Sequence, residues 1–171
     1  MQGRPHTHRA IILILIGLTL LGLVLRLWAA WDTNQRLPDT PERLRSDELA
    51  NNGLAYLLLQ GSFFQSPVET PVYPLFLAAC YLVFGHSYVM VLYIQAFVGA
   101  AVIPLTWLLA RRFTSEKLSL LAAALVALHP SLILRATRLH SENLYIPLLL
   151  LALLRVRKNI TSRPRSEQKS S

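Results

Sequence analysis

The chain has 171 residues, 53% of them hydrophobic and 15% charged, with a mean hydropathy of +0.41. That much apolar surface exceeds what one small soluble core would bury and points to lipid as the solvent. The 17 Lys and Arg against 9 Asp and Glu sit at the ends of apolar runs and not on an aromatic-interleaved face, which argues against nucleic acid as a partner and reads as membrane orientation.

Arg4 and Arg9 precede an apolar run, Ala10 to Ala30, that superficially resembles a secretory signal. Its 21 residues are too many for a signal core, and no small-residue cleavage site follows. As helix it covers about 31 Å, enough to cross a hydrocarbon core of about 30 Å. A retained signal-anchor span over 10–30 is therefore expected, after a cytoplasmic N-terminus at 1–9. Trp28 and Trp31 mark its far interface, and Arg26, one turn before that end, is expected to snorkel to the headgroups, the alternative being that it faces an internal polar cavity.

From Asp32 to Thr70 the chain turns polar and mixed, broken by Pro38, Pro41 and Pro67, as an extramembrane loop would be. Within it Ser46 is placed to cap a helix over 47–60, with Asp47 and Glu48 in its first turn, an apolar stripe of Ala50, Leu54, Leu57 and Leu58, and Gly61 as its stop. That stripe suits a helix lying on the membrane surface. The run Val72 to Phe84 is apolar, but its 13 residues make only about 20 Å of helix, so 72–84 is expected to be a second interfacial helix. Cys80 within it reads as a small buried hydrophobe.

Residues 87–110 are long enough to span and run into Arg111, Arg112 and Lys117. A third span is expected over 118–134 with a kink at Pro130, and a fourth over 143–155, ending in Arg155, Arg157 and Lys158. The polar, basic tail at 159–171 is expected to be disordered. The fold class is thus all-α and integral to the membrane: about four transmembrane helices and two interfacial helices. With 72–84 kept outside, the N-terminus, the loop around residue 114 and the C-terminus are all cytoplasmic and hold most of the basic residues, while the outer loop from Asp32 to His86 carries six acids against three arginines.

This topology gathers Asp47, Glu48 and Glu142 at the outer boundary with Arg135, Arg138 and His140. A carboxylate that deprotonates a hydroxyl, beside cations that hold a phosphate leaving group, is what transfer of a sugar from a lipid phosphate requires. Asp47 and Glu142 each follow a serine, however, and read equally well as first-turn partners of a helix dipole. Arg135 and Arg138 read equally well as headgroup anchors. The sequence carries no Cys/His metal spacing, Gly-rich phosphate loop or nucleophile elbow.

Asp47-Glu48 with Ala55, Leu58 and Gly61, then Pro71-Val72-Tyr73-Pro74-Leu75-Phe76-Leu77-Ala78 and Phe84-Gly85, resembles the first outer loop of membrane glycosyltransferases of the C superfamily. The likeness continues in order through Gln95 to Ala100, Leu109 to Phe113, His129 to Ile133 and Ser141 to Tyr145, covering about 25–154. It is nearest to the bacterial branch related to protein O-mannosyltransferases and the aminoarabinose transferase of lipid A. The resemblance implies a bacterial inner-membrane enzyme with a polyprenyl-phosphate-linked sugar as donor and an active site facing away from the cytoplasm. It implies Asp47 as general base or acceptor-orienting carboxylate, Glu48 as the adjacent candidate, and Glu142 as a second outer acid. Arg138 would hold the donor phosphate, with Arg135, His140 and Tyr73 as further substrate-binding residues. The expected partners are the lipid bilayer and that donor; no cofactor is expected, and a divalent-metal requirement is left open. Such transferases usually have more spans and a further outer domain, so the chain is expected to be a truncated member, to work with a second membrane polypeptide, or to be a non-catalytic assembly partner or lipid-binding subunit. The enzyme reading requires Asp47 and Glu142 to face a shared cavity.

Overall fold

The computed structural model describes residues 5–62 and 71–162, with side chains over 9–62 and 71–156. Among these residues the chain is all-α, with no strand. Helix α1, Pro5–Arg36, runs for 32 residues, longer than the expected span because no proline or glycine interrupts it between Trp31 and Arg36. Its stretch Arg9–Arg36 is long and apolar enough to cross a membrane. A 3-10 turn, Pro41–Arg43, leads into α2, Ser46–Leu59. The N-cap is Arg45, not Ser46: the Arg45 backbone N–H donates to Glu48 Oε2 at 2.8 Å, so the acid three residues on satisfies the free donor. Gly61, at φ +74°, closes α2. Its N–H donates to Leu58 O and that of Ser62 to Leu57 O, the paired bonds of a Schellman ending.

Helix α3, Val72–Phe84, stops at Gly85, whose φ of +73° is readily adopted by glycine alone. Helices α4, Tyr88–Ala100, and α5, Val102–Ala110, are nearly continuous, and together form a second stretch able to cross a membrane. The joint lies where Pro104 has no N–H for the Ala100 carbonyl and its ring crowds that oxygen. Helices α6, Glu116–Leu128, and α7, Pro130–Arg135, are separated by His129 in an extended conformation. Pro130 therefore breaks the expected 118–134 helix where a kink was anticipated, because a residue before proline is driven out of the helical region. Helix α8, Glu142–Ser162, includes residues 159–162 of the expected tail; the remainder of that tail lies outside the described residues.

Helix α1 packs against α4, α6 and α7, α2 lies on α3, and α5 packs on α6 and α8. One buried cluster, including Ala30, Leu44, Tyr73, Leu77, Leu92 and Leu139, joins the end of α1 to α2, α3 and α4. A second, of Ile11, Ile103, Trp107, Ala123 and Ala127, lies near the other end of α1. The outward faces of α1 and α6 leave Leu13, Leu20, Val24, Leu121 and Leu125 exposed, as lipid-facing side chains would be.

Gly22 is what lets α1 approach α5 and α6. A Cβ there would collide with Ile103 Cδ1, lie 3.0 Å from Arg26 Nη1 and meet the Ala127 Cα at 3.5 Å, whereas Gly17 has nothing within 4 Å. Gly22→Val is expected to destabilise the fold by about 1–3 kcal/mol through overpacking, with Gly17→Val close to neutral; thermal unfolding in detergent micelles checks both.

Candidate functional site

Three cavities meet around the loop between α7 and α8. The first, about 310 Å³, lies between the end of α1, the turn before α2 and that loop. Its wall carries Arg36, Arg43, Glu48 and Arg138 over a floor of Leu44, Leu92 and Leu139. Of the expected site residues it brings together Glu48 and Arg138. Glu48 is 3% exposed; Oε2 is engaged by the Arg45 N–H, while Oε1 is buried with no hydrogen-bond partner. Asp47, one position earlier on α2, is exposed. The carboxylate of Asp47 is in the wall of none of these cavities.

Arg43 is a pocket residue that sequence reasoning passed over. Its side chain is 4% exposed; Nη2 donates to Asn34 Oδ1 at 2.9 Å, and Nη1 lies 3.7 Å from Asp39 Oδ1 without a hydrogen bond. Burial lowers the Arg43 pKa, against Asp39 and Glu48, whose charges favour the cation. The guanidinium nonetheless stays protonated at any working pH. The available signal was three arginines, Arg36, Arg43 and Arg45, in an otherwise acidic loop.

The second cavity is an elongated groove of about 660 Å³ between the start of α3 and the length of α8. Tyr73, Leu144, Tyr145, Leu148 and Ala152 make it apolar, and Ser141 and Glu142 stand at its polar head. The third is a small gap that Glu142 shares with Arg26 and Asn143. None of these three cavities is lined by both Glu142 and Asp47.

Glu142 is held by its neighbours. Its Oε1 pairs with Arg135 Nη1 at 2.9 Å, and Oε2 lies 3.8 Å from His140 Nδ1. Burial pushes the Glu142 carboxyl up, but a bond from its own backbone N–H, the Arg135 hydrogen bond and the charges of Arg135 and His140 outweigh it, so the pKa falls below the ordinary value. Asn143 braces the same loop by donating to Arg135 O at 2.8 Å. Tyr73, 2% exposed, accepts a hydrogen bond from Gln95. Burial, the largest influence, lifts the Tyr73 phenol well above its usual pKa.

Arg26 does not snorkel. It is 1% exposed, and Nη1 donates to Gly22 O at 2.8 Å, one turn back toward the N-terminus. The side chain leans that way because helical side chains tilt toward the N-terminus, and the missing side chain of Gly99, whose Cβ would lie 3.5 Å from Arg26 Nε, leaves room for it.

A depressed carboxyl pKa contributes stability that is present above the unfolded value and lost as pH falls through the folded one. Glu142→Gln is therefore expected to lower the unfolding midpoint at neutral pH and to converge on the parent only as pH falls below the depressed pKa of the folded Glu142. Since Arg135 and Glu142 are 38% and 44% exposed, solvent screening holds the difference under about 1 kcal/mol. Thermal melts across pH 3–7 measure it.

The profile of one protein family, described as dolichyl-phosphate-mannose-protein mannosyltransferase, matches residues 67–166, more than half of the chain. That segment includes the whole groove and Arg138, whereas Arg43 and Glu48 precede it. No curated protein and no solved structure matches the chain.

Proposed function

The chain belongs to the dolichyl-phosphate-mannose-protein mannosyltransferase family, and from that premise we propose that it binds a polyprenyl-phosphate-linked sugar and takes part in transferring that sugar to an acceptor outside the cytoplasm. The apolar groove along α8 takes the start of the polyprenyl chain, and the polar pocket beside it takes the sugar and the acceptor hydroxyl. The observation that carries this reading is the buried, unpartnered Glu48 Oε1 in one pocket with Arg43 and Arg138.

In the proposed step Glu48 takes the proton of the acceptor hydroxyl. The hydroxyl oxygen bonds to the anomeric carbon as the bond from that carbon to the phosphate oxygen breaks, and the polyprenyl phosphate departs with the bonding electrons. Arg138 and Arg43 offset the charge gathering on the phosphate, an effect strengthened by the low dielectric of a buried pocket. Glu142, already paired with Arg135 and close to His140, orients those side chains and is not the base.

Glu48 therefore takes the role that the resemblance gave first to Asp47. Glu48→Gln retains an oxygen to cap the Arg45 N–H, so it is expected to fold, and to lower transfer at least about a hundredfold, the scale of general-base loss. Asp47→Asn is expected to stay within a few-fold of the parent. Transfer of radiolabelled sugar from a polyprenyl-phosphate donor in membranes measures both, and the reverse ranking would remove Glu48 from the role.

The proposed topology has four spans, both termini cytoplasmic, and α2 and α3 lying on the outer surface of a bacterial inner membrane. Thr114 then faces the cytoplasm. Thr114→Cys is expected to resist an impermeant maleimide in intact cells and to react after permeabilisation, with Cys80 silent because it is buried. Labelling in intact cells would invert the arrangement.

A further inference from the structure

Gln95 is 1% exposed and stands in the middle of α4, facing both the start of α3 and the loop between α7 and α8. Its Nε2 donates to the Tyr73 hydroxyl oxygen at 2.8 Å and to the backbone carbonyl oxygen of His140 at 3.2 Å. A carbonyl oxygen only accepts, so it fixes which end of the amide faces it. The flipped amide would set its oxygen against the His140 oxygen and lose that bond; as it stands, the amide leaves Oε1 buried without a donor.

With nitrogen at that position, the Tyr73 oxygen is an acceptor, and its own O–H must be donated elsewhere. Among the described residues none accepts it. A buried donor is normally matched by protein, water or ligand, and Tyr73 stands in the wall of the groove headed by Ser141 and Glu142. Because Arg135 offsets the charge of Glu142, that head can admit a second anion. An O–H donated to an anionic oxygen is among the stronger hydrogen bonds.

We infer that Gln95 is a positioning residue: by donating to the Tyr73 oxygen it turns the Tyr73 O–H into a donor for a phosphate oxygen of the lipid in the groove. The inference rests on the donor reading above and deepens it. Gln95 also grips the loop that carries Arg138 and His140, so one amide ties the groove wall to the wall of the polar pocket. Burial keeps the phenol protonated at any working pH, so the donor persists.

The test uses the full chain in lipid nanodiscs and compares binding of a polyprenyl phosphate with the polyprenol of the same chain length. The parent is expected to prefer the phosphate. Tyr73→Phe, which removes only the hydroxyl, is expected to lower that preference about tenfold or more, the scale of a hydrogen bond to a charged group, with polyprenol binding unchanged. Gln95→Met should reproduce the selective loss, and Gln95→His, which keeps an N–H donor at similar reach, should restore much of it; circular dichroism establishes that each variant is helical. A Tyr73→Phe chain with the parent's preference, or a Gln95→Met chain that loses both lipids equally, would overturn this inference and leave the donor reading standing. A parent chain that binds neither lipid would overturn both.

Discussion

Asp39 holds the site together. It lies outside every α-helix, yet Oδ2 accepts from Ser87 Oγ at 2.9 Å and Oδ1 from the backbone N–H groups of Tyr88 and Val89 at 3.0 and 3.3 Å. It is thus an added cap, supplied from far along the chain, on the N-terminus of α4, where free N–H groups and the helix dipole favour an anion. Arg43 Nη1 lies 3.7 Å from the same carboxylate. The turn that delivers Glu48 and Arg43 is therefore fastened to the start of a membrane-length helix, and the polar pocket has a wall only while that fastening holds.

A second tie works from the side of α3. Asn52, buried on α2, accepts from the Tyr81 hydroxyl at 2.8 Å and donates to that of Tyr88 at 3.3 Å. His86 lies among Tyr56, Tyr81 and Tyr88, with ring centroids 4.5–4.8 Å away. These polar and aromatic contacts bind the two short helices of the first loop to α4 without a long apolar interface. Isolated helices of 13 and 14 residues are marginal in water, so the order of α2 and α3 depends on such cross-links together with the core around Tyr73 and Leu77.

What could be read from the sequence follows the range of each interaction. The all-α character and the ends of α2 and α3 are written locally, in apolar periodicity and in Gly61 and Gly85. The break at Pro130 is local too, but its severity depends on neighbouring helices, which here do not rescue the missing bond. Asp39 and Arg43 were illegible as site residues because their meaning lies in a contact with α4 that spans about fifty positions of chain. Arg26 was misjudged for a related reason: snorkelling is the sound expectation for a lone helix, and only the approach of Gly99 on another helix makes an inward course available. Tyr73 is named through family resemblance, while Gln95, on which its orientation depends, enters only as the first residue of a resembling stretch, with no role attached.

The two first-turn acids show why adjacency to a helix start says little about reactivity. Glu142 engages Arg135 at 2.9 Å and lies near His140, so its charge is answered within the protein. Glu48 caps Arg45 with one oxygen and leaves the other buried and unpartnered. Arg43 Nη1 and Asn34 Nδ2, close by, are unpartnered too, and each such atom costs about 1–3 kcal/mol if nothing meets it. A folded chain that leaves a buried carboxylate oxygen without a hydrogen bond, and a buried guanidinium nitrogen held only by an ion pair at 3.7 Å, at one cavity has kept acceptor and donor capacity for something that enters it. A hydroxyl that gives up a proton and a phosphate that takes on charge would use both, and the largely apolar groove alongside offers the lipid that carries the phosphate a place to lie.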